Sequence, residues 1–361
     1  MVGRKYDFLG RQFSYLKAAF LAMEQSVNII DLARKCGGGY VSEGVQFFFL
    51  EHCLNSGIHE GFEPDFIYAR NIVKKIIIAV ESNHGTVVDG LYEQLAHYMS
   101  SFQDNTSHNG RSRVVKHITF LTDDDGLENF SIPLQCSENM LEGDTGCVIW
   151  PSSLFLSEFI LTYPNIFSNK CCFEIGSGVG LVGVVLNKVK ASEVIVSDGD
   201  LSTLENMKLN LDLNKLQSER TAVSQRLNET VSVKCKHVPW ETISEKELEV
   251  HQPDIILGAD VIYNPSCVPH LIRLLSIFLT RRSSNDDTNK NEECRFSPPV
   301  AFIATVIRNV ETFNYFLKHA AEAHLTIIDI TETNKPHSFL PYMVSTYNRA
   351  NVRLYKLLSH I

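Results

Sequence analysis

The chain has 361 residues, of which 44% are hydrophobic and 21% charged, a length that suits about two domains and a composition that excludes fibrous and wholly disordered chains. Its 33 basic residues stand against 42 acidic ones, a net charge of -9, which disfavours a protein whose affinity comes from neutralising nucleic-acid phosphates and favours a basic or neutral macromolecular partner. Nine cysteines with no CxxC pair predict reduced thiols, without disulfides or a zinc site, in a cytosolic protein with the nucleus as alternative; no N-terminal apolar run reads as a secretory signal, and no apolar window is long enough to span a bilayer.

Up to about residue 105 the apolar residues recur at helical spacing. Phe66, Ala69, Ile72, Val73, Ile76, Ile77 and Val80 form one stripe that starts after Pro64-Asp65, and 45–54 behind Ser42 and 88–102 predict two further helices. Gly37-Gly38-Gly39 is not followed by a Lys-Ser/Thr pair and reads as a loop. The predicted helical N-terminal domain therefore runs over 1–112 and ends in a polar link at 103–113.

The segments 114–121 and 130–135 alternate like strands around Asp123-Asp124-Asp125-Gly126, a turn-type sequence that lacks the rest of a calcium loop. This hairpin, within 113–149, is expected to lead into a second domain over 113–361. From about residue 150 strands and helices alternate. Strands are predicted at 171–175, 193–197, 231–237, 255–259, 300–306, 325–330 and 352–357, and helices at 152–162, 181–188, 202–213, 267–279 and 311–323. That order specifies an α/β fold, a doubly wound, Rossmann-like sheet of seven strands with helices on both faces. The polar, aperiodic stretch 281–299 reads as a flexible insertion dispensable for the fold.

The sharpest local signal is Cys172-Phe173-Glu174-Ile175-Gly176-Ser177-Gly178-Val179-Gly180-Leu181, a strand running into a glycine-rich turn that opens a helix. Gly176 and Gly178 let the backbone turn sharply and let a ligand lie against it. The spacing is not that of a dinucleotide fingerprint, because Leu181 stands where the third glycine belongs, and a phosphate loop from Gly178 meets Val184 in place of lysine. Glu174 at the strand end suits a ligand that carries an ammonium group and repels a pyrophosphate; S-adenosylmethionine carries that ammonium.

The next strand ends at Val196-Ser197-Asp198, where a carboxylate can accept both ribose hydroxyls. Asp200 is a neighbouring candidate, and either residue has the alternative of capping the helix near Ser202. The fourth strand ends in Gly258-Ala259-Asp260-Val261-Ile262-Tyr263, which places Asp260 and Tyr263 at the carboxyl edge, where ligands bind in doubly wound sheets. There a carboxylate can orient a substrate ammonium or help it lose its proton, and a tyrosine can offer its ring face or hydroxyl to a lysine; Asp260 can equally be a plain turn residue. Trp150 and Trp240, the two tryptophans, lie near strand ends and are candidates either for the pocket wall or for the core.

These residues resemble the seven-strand protein-lysine methyltransferases, and within them the branch that acts on eukaryotic elongation factor 2. The resemblance rests on Thr145-Gly146-Cys147-Val148-Ile149-Trp150, Phe173 through Leu181, the Asp-x-x-Tyr motif at Asp260-Val261-Ile262-Tyr263, and Arg308-Asn309-Val310-Glu311-Thr312. It covers about residues 140–330, and the helical N-terminal region also resembles that branch's extension. It implies a pocket in which Trp150, Gly176, Ser177, Gly178, Trp240 and Ala259 touch S-adenosylmethionine with Asp198 at the ribose. It further implies that Asp260 and Tyr263 shape the lysine site, that the N-terminal domain docks the substrate, and that trimethyllysine on elongation factor 2 is the product. Departures are Phe173-Glu174-Ile175 in place of Leu-Glu-Leu, Val179 in place of alanine, and the polar insertion. A small-molecule methyltransferase and a non-catalytic adaptor of the same fold are the competing readings; a nicotinamide oxidoreductase is disfavoured by the glycine spacing.

Overall fold

The structure is a computed structural model that describes residues 2–55, 65–100, 113–122, 128–137, 145–216, 232–280 and 298–360, with side chains from residue 10. The acidic turn expected at 123–126, the link at 103–112 and the insertion at 281–299, apart from its last two residues, lie outside the described residues. No helix among the described residues is long and apolar enough to cross a membrane.

The chain divides into two compact units, Met1–Glu142 with Phe339–Tyr347, and Gly143–Ser338 with Asn348–Ile361. The first contains helices α1 (Val2–Leu21), α2 (Ser26–Cys36), α3 (Glu43–Phe49), α4 (Phe66–Glu81) and α5 (Asp89–Ser100). Helix α3 continues into a wider turn over Leu50–Leu54. The stripe read from the sequence is the buried face of α4, and Asp65 caps that helix by accepting the Tyr68 N–H at 2.7 Å. Ser42 holds the cap position of α3 but makes no side-chain capping bond.

Strands β1 (Arg113–Phe120) and β2 (Phe130–Ser137) form the expected antiparallel hairpin, with Ile118 opposite Ile132. It belongs to the helical unit, so the boundary expected at 112/113 falls at 142/143. The reason is burial. A lone two-stranded hairpin is marginal in water, and Val114, Ile118, Phe120, Ile132, Leu134 and Cys136 are all buried. The strap Phe339–Tyr347 is part of the same unit; its Phe339 carbonyl accepts the Leu121 N–H at 2.9 Å, and the Tyr342 hydroxyl accepts the Thr119 N–H at 2.8 Å.

The second unit is built on a seven-stranded sheet in the order β5-β4-β3-β6-β7-β9-β8. Its strands are β3 (Cys171–Ile175), β4 (Glu193–Asp198), β5 (Ser232–His237), β6 (Ile255–Ala259), β7 (Val300–Val306), β8 (Leu325–Asp329) and β9 (Val352–Ser359). Neighbours from β5 to β7 pair in parallel, and β9 runs antiparallel to both β7 and β8. Helices α6 (Pro151–Thr162), α7 (Pro164–Phe167), α8 (Leu181–Lys188), α9 (Leu201–Leu213), α10 (Glu245–Glu249), α11 (Val268–Leu279) and α12 (Val310–Glu322) complete it. Strands buried on both faces need apolar residues on both. Phe173, Ile256 and Ile303 join the cluster that holds Leu271, Leu275 and Phe316 of α11 and α12, while Phe302 meets Phe159 of α6 with ring centroids 5.3 Å apart. The chain runs outward from β3 to β5 and returns to place β6 beside β3. Connections therefore diverge beyond the carboxyl ends of β3 and β6, the crevice where a doubly wound sheet binds ligands.

Candidate active site

At that crevice lies a cavity of about 540 Å³, within the range of small-molecule sites. Its floor is the turn after β3. Gly176 and Gly178 have φ of +65° and +54°, a backbone that L side chains rarely adopt. A Cβ on Gly176 would come within 3.2 Å of Val261 and 3.3 Å of the Trp240 ring, and one on Gly178 within 2.9 Å of the Gly146 carbonyl. Ser177 between them is buried and outside the cavity wall. It latches the turn to β4: its N–H donates to the Ser197 carbonyl at 2.8 Å and its hydroxyl accepts the Ser197 N–H at 2.9 Å.

The two aspartates after β4 separate into two roles. Both line the cavity; Asp200 also caps α9 through the Thr203 N–H at 2.7 Å, and Asp198 accepts the N–H groups of Gly178 at 3.2 Å and Asp200 at 3.1 Å. Burial raises the Asp198 carboxyl above its ordinary range. Both tryptophans line the cavity. The turn that carries Trp240 is fixed by Arg273, which donates to the carbonyls of Trp240 and Ile243 at 2.9 and 2.8 Å, and the Trp150 indole N–H donates to the Thr145 carbonyl at 3.0 Å.

Glu174 is placed differently from its sequence reading. It alternates with Phe173 and Ile175 of the core cluster and is buried, and it forms no part of the cavity wall. Its carboxyl takes hydrogen bonds from Ser177 and the Gly183 backbone, its Oε2 has no partner, and burial pushes its pKa up to about 8. Glu174 thus lies buried beneath the glycine turn, outside the cavity lining.

At the end of β6, Ala259, Asp260 and Tyr263 line the cavity together. Asp260 sits at φ +57°, its N–H donating to the Ala304 carbonyl at 2.8 Å. Its buried carboxylate accepts the Val306 N–H at 3.0 Å and a two-pronged contact from Arg308, Nη1 to Oδ1 at 3.1 Å and Nη2 to Oδ2 at 2.9 Å. The Arg308 guanidinium lies 5.0 Å from the Trp150 ring centroid. Tyr263 is 61% exposed at the rim; its phenol is raised above its ordinary range by partial burial, then by Cys267, Asp198 and Glu241, so it stands as a neutral hydroxyl at physiological pH. Arg308, Glu241, Cys267 and Thr203 also line the cavity, and the sequence motifs do not single them out as site residues. The signal for Arg308 was its place just beyond β7, at the same carboxyl edge as Asp260.

Arg308 is the sole cation among the described residues of the wall, and it is paired with Asp260, while Asp198, Asp200 and Glu241 are acidic. A diphosphate would meet net negative charge there. A nucleoside with a cationic tail fits a floor that has no Cβ to obstruct it and a wall that includes the Asp198 carboxylate and two indoles.

The family model described as lysine methyltransferase matches residues 128–286. An uncharacterized protein of Dictyostelium discoideum is 32% identical over 227 residues, 59% of this chain but only 58% of its own length, so the match takes in under two thirds of that protein. Protein-lysine N-methyltransferase EEF2KMT of Homo sapiens is 27% identical over 262 residues, 72% of each chain. Protein-lysine N-methyltransferase EFM3 of Chaetomium thermophilum is 26% identical over 266 residues, 70% of this chain and 72% of that one.

Proposed function

We propose that the chain is a lysine methyltransferase that transfers methyl groups from S-adenosylmethionine to a lysine of eukaryotic elongation factor 2 in the cytoplasm, yielding trimethyllysine; the lysine methyltransferase model matched over residues 128–286 supports this reading. The observation that carries the chemistry is the Cβ-free floor at Gly176 and Gly178 next to Asp198, in a cavity whose sole cation among the described residues, Arg308, is paired with Asp260. The names of the human and fungal relatives, matched over about seven tenths of this chain, support the substrate class.

S-adenosylmethionine, when bound, supplies a methyl carbon to an incoming amine lone pair, the carbon–sulfur bond breaking toward sulfur. Gly176 and Gly178 admit it to the floor, Asp198 accepts its ribose hydroxyls, and Trp150, Trp240 and Ala259 wall it from water. Tyr263 at the rim offers its ring and hydroxyl to the entering lysine, and Asp260 and Arg308 close the cavity behind the amine. The protein's work is alignment and exclusion of water, since the displacement requires an in-line approach. The helical unit serves to dock the protein substrate.

The test is methyl incorporation from radiolabelled S-adenosylmethionine into purified elongation factor 2, beside a whole-cell extract, with mass spectrometry of every labelled band. Trimethyllysine on elongation factor 2 is the expected result. Label on another protein overturns the substrate, and no label from a chain that binds S-adenosylhomocysteine overturns the reaction.

A further inference from the structure

The acceptor end of the cavity contains a carboxylate that is fully occupied. Asp260 is 7% exposed and accepts from the Val306 N–H and from both Arg308 nitrogens, at 2.9–3.1 Å. Such a charge-assisted fork is among the stronger hydrogen-bonded contacts a carboxylate makes. Arg308 is in turn stacked on Trp150, so it is held from two sides although its side chain is 44% exposed.

A lysine ammonium has no lone pair and accepts no methyl group until it has lost a proton. An unpaired carboxylate beside the amine would stabilise the charged form and raise the pH at which the amine becomes reactive. The other ionisable groups of the wall are Asp198 and Asp200 beyond β4, Glu241 after β5, and the weak acids Tyr263 and Cys267 on the β6–α11 segment. Of these, Asp198 and Asp200 are already engaged with backbone N–H groups, and Cys267 Sγ lies 3.9 Å from Glu241 Oε1.

We propose that Arg308 is a positioning residue that masks Asp260, so that the acceptor lysine meets a closed ion pair instead of a free carboxylate and stays the neutral amine, its proton having passed to water. This rests on the reading above that the lysine reaches the Asp260–Tyr263 end of the cavity. It assigns Asp260 to holding Arg308 in place of abstracting a proton.

The probe is n-butylamine, a lysine side-chain mimic that is cationic at neutral pH, titrated by calorimetry into protein saturated with S-adenosylhomocysteine. The wild type should bind it weakly. Arg308→Met should bind it about tenfold more tightly, the factor by which a tenfold change in the amine's ionisation constant on binding would favour its charged form, and adding Asp260→Asn should return it to the wild-type value. An unchanged affinity in Arg308→Met overturns the proposal. Should that variant not fold, Arg308→Lys keeps the charge without the fork and should tighten binding by a smaller, measurable factor; no tightening overturns the proposal equally. With elongation factor 2 as acceptor, the rising limb of the pH–rate profile should move up by about one pH unit in Arg308→Met and return in the double variant. A wild type that leaves elongation factor 2 unlabelled defeats the substrate assignment alone, because the butylamine series still decides the masking.

Discussion

Gly178 stands at φ +54°, and a Cβ there would come within 2.9 Å of the Gly146 carbonyl, so the turn has no room for a side chain. Gly178→Arg should therefore abolish binding of S-adenosylhomocysteine in a calorimetric titration; undiminished binding would place the ligand elsewhere. Glu174 was legible as an acid at a strand end, but not as a core residue. On a parallel strand covered on both faces, the side opposite Phe173 and Ile175 is also interior. Its pKa of about 8, against 4.5 for a free glutamate, means the folded state keeps a proton that the unfolded chain gives up. Stability from the neutral carboxyl is thus complete below the unfolded value and is lost as pH rises through the folded one. Glu174→Gln, which cannot ionise, should melt close to the wild type at about pH 5 and above it at about pH 8.5. Thermal unfolding at the two pH values decides, and an equal difference at both would mean that Glu174 carries no trapped proton.

The strands of the large sheet were the most legible elements, because apolar runs flanked by turn residues define them locally: 171–175, 255–259 and 300–306 coincide with β3, β6 and β7. Helix α10 escaped notice because it is five residues long and mostly charged, although its capping box, Ser244 with Glu247, was written in the sequence. The wider turn at Leu50–Leu54 has no local signature. Spacing also left the role of Gly183 unseen. This glycine lies inside α8, where a Cβ would come within 2.4 Å of Val196 Cγ1 on β4, so it sets how closely the helix that follows the glycine turn packs on the sheet. Gly183→Ala should destabilise the protein by about 2 kcal/mol through overpacking, despite alanine's better helix propensity. Denaturant unfolding would read this as a lower midpoint with an unchanged slope, and a midpoint that rises would show that the interface has room.

At the scale of the whole molecule, a boundary drawn once along the chain cannot describe a unit made of two segments. The burial of Leu340, Tyr342, Met343 and Tyr347 is written in their apolar character, but nothing local in 339–347 says that they belong with residues more than two hundred positions earlier. What fastens the strap is a polar anchor. Glu24 is fully buried, accepting from Asn28 Nδ2 at 2.9 Å, from the Ser345 N–H at 3.1 Å and from the Thr346 hydroxyl, while Asn28 also donates to the Tyr342 carbonyl at 2.8 Å. Removing the carboxyl group leaves the buried Asn28 amide without that acceptor and takes from the exposed Ser345 and Thr346 the contacts that tie them to the helical unit, at a cost of about 2 kcal/mol. That penalty falls on the local opening of the strap, since the sheet of the second unit keeps all its own hydrogen bonds. In Glu24→Ala, hydrogen exchange followed by mass spectrometry should therefore speed up about thirtyfold across 339–347, as about 2 kcal/mol of lost protection implies, and remain unchanged across β3 and β6. Uniform acceleration in both units would mean that they open together, and unaltered protection of the strap would mean that its apolar residues, and not Glu24, hold it.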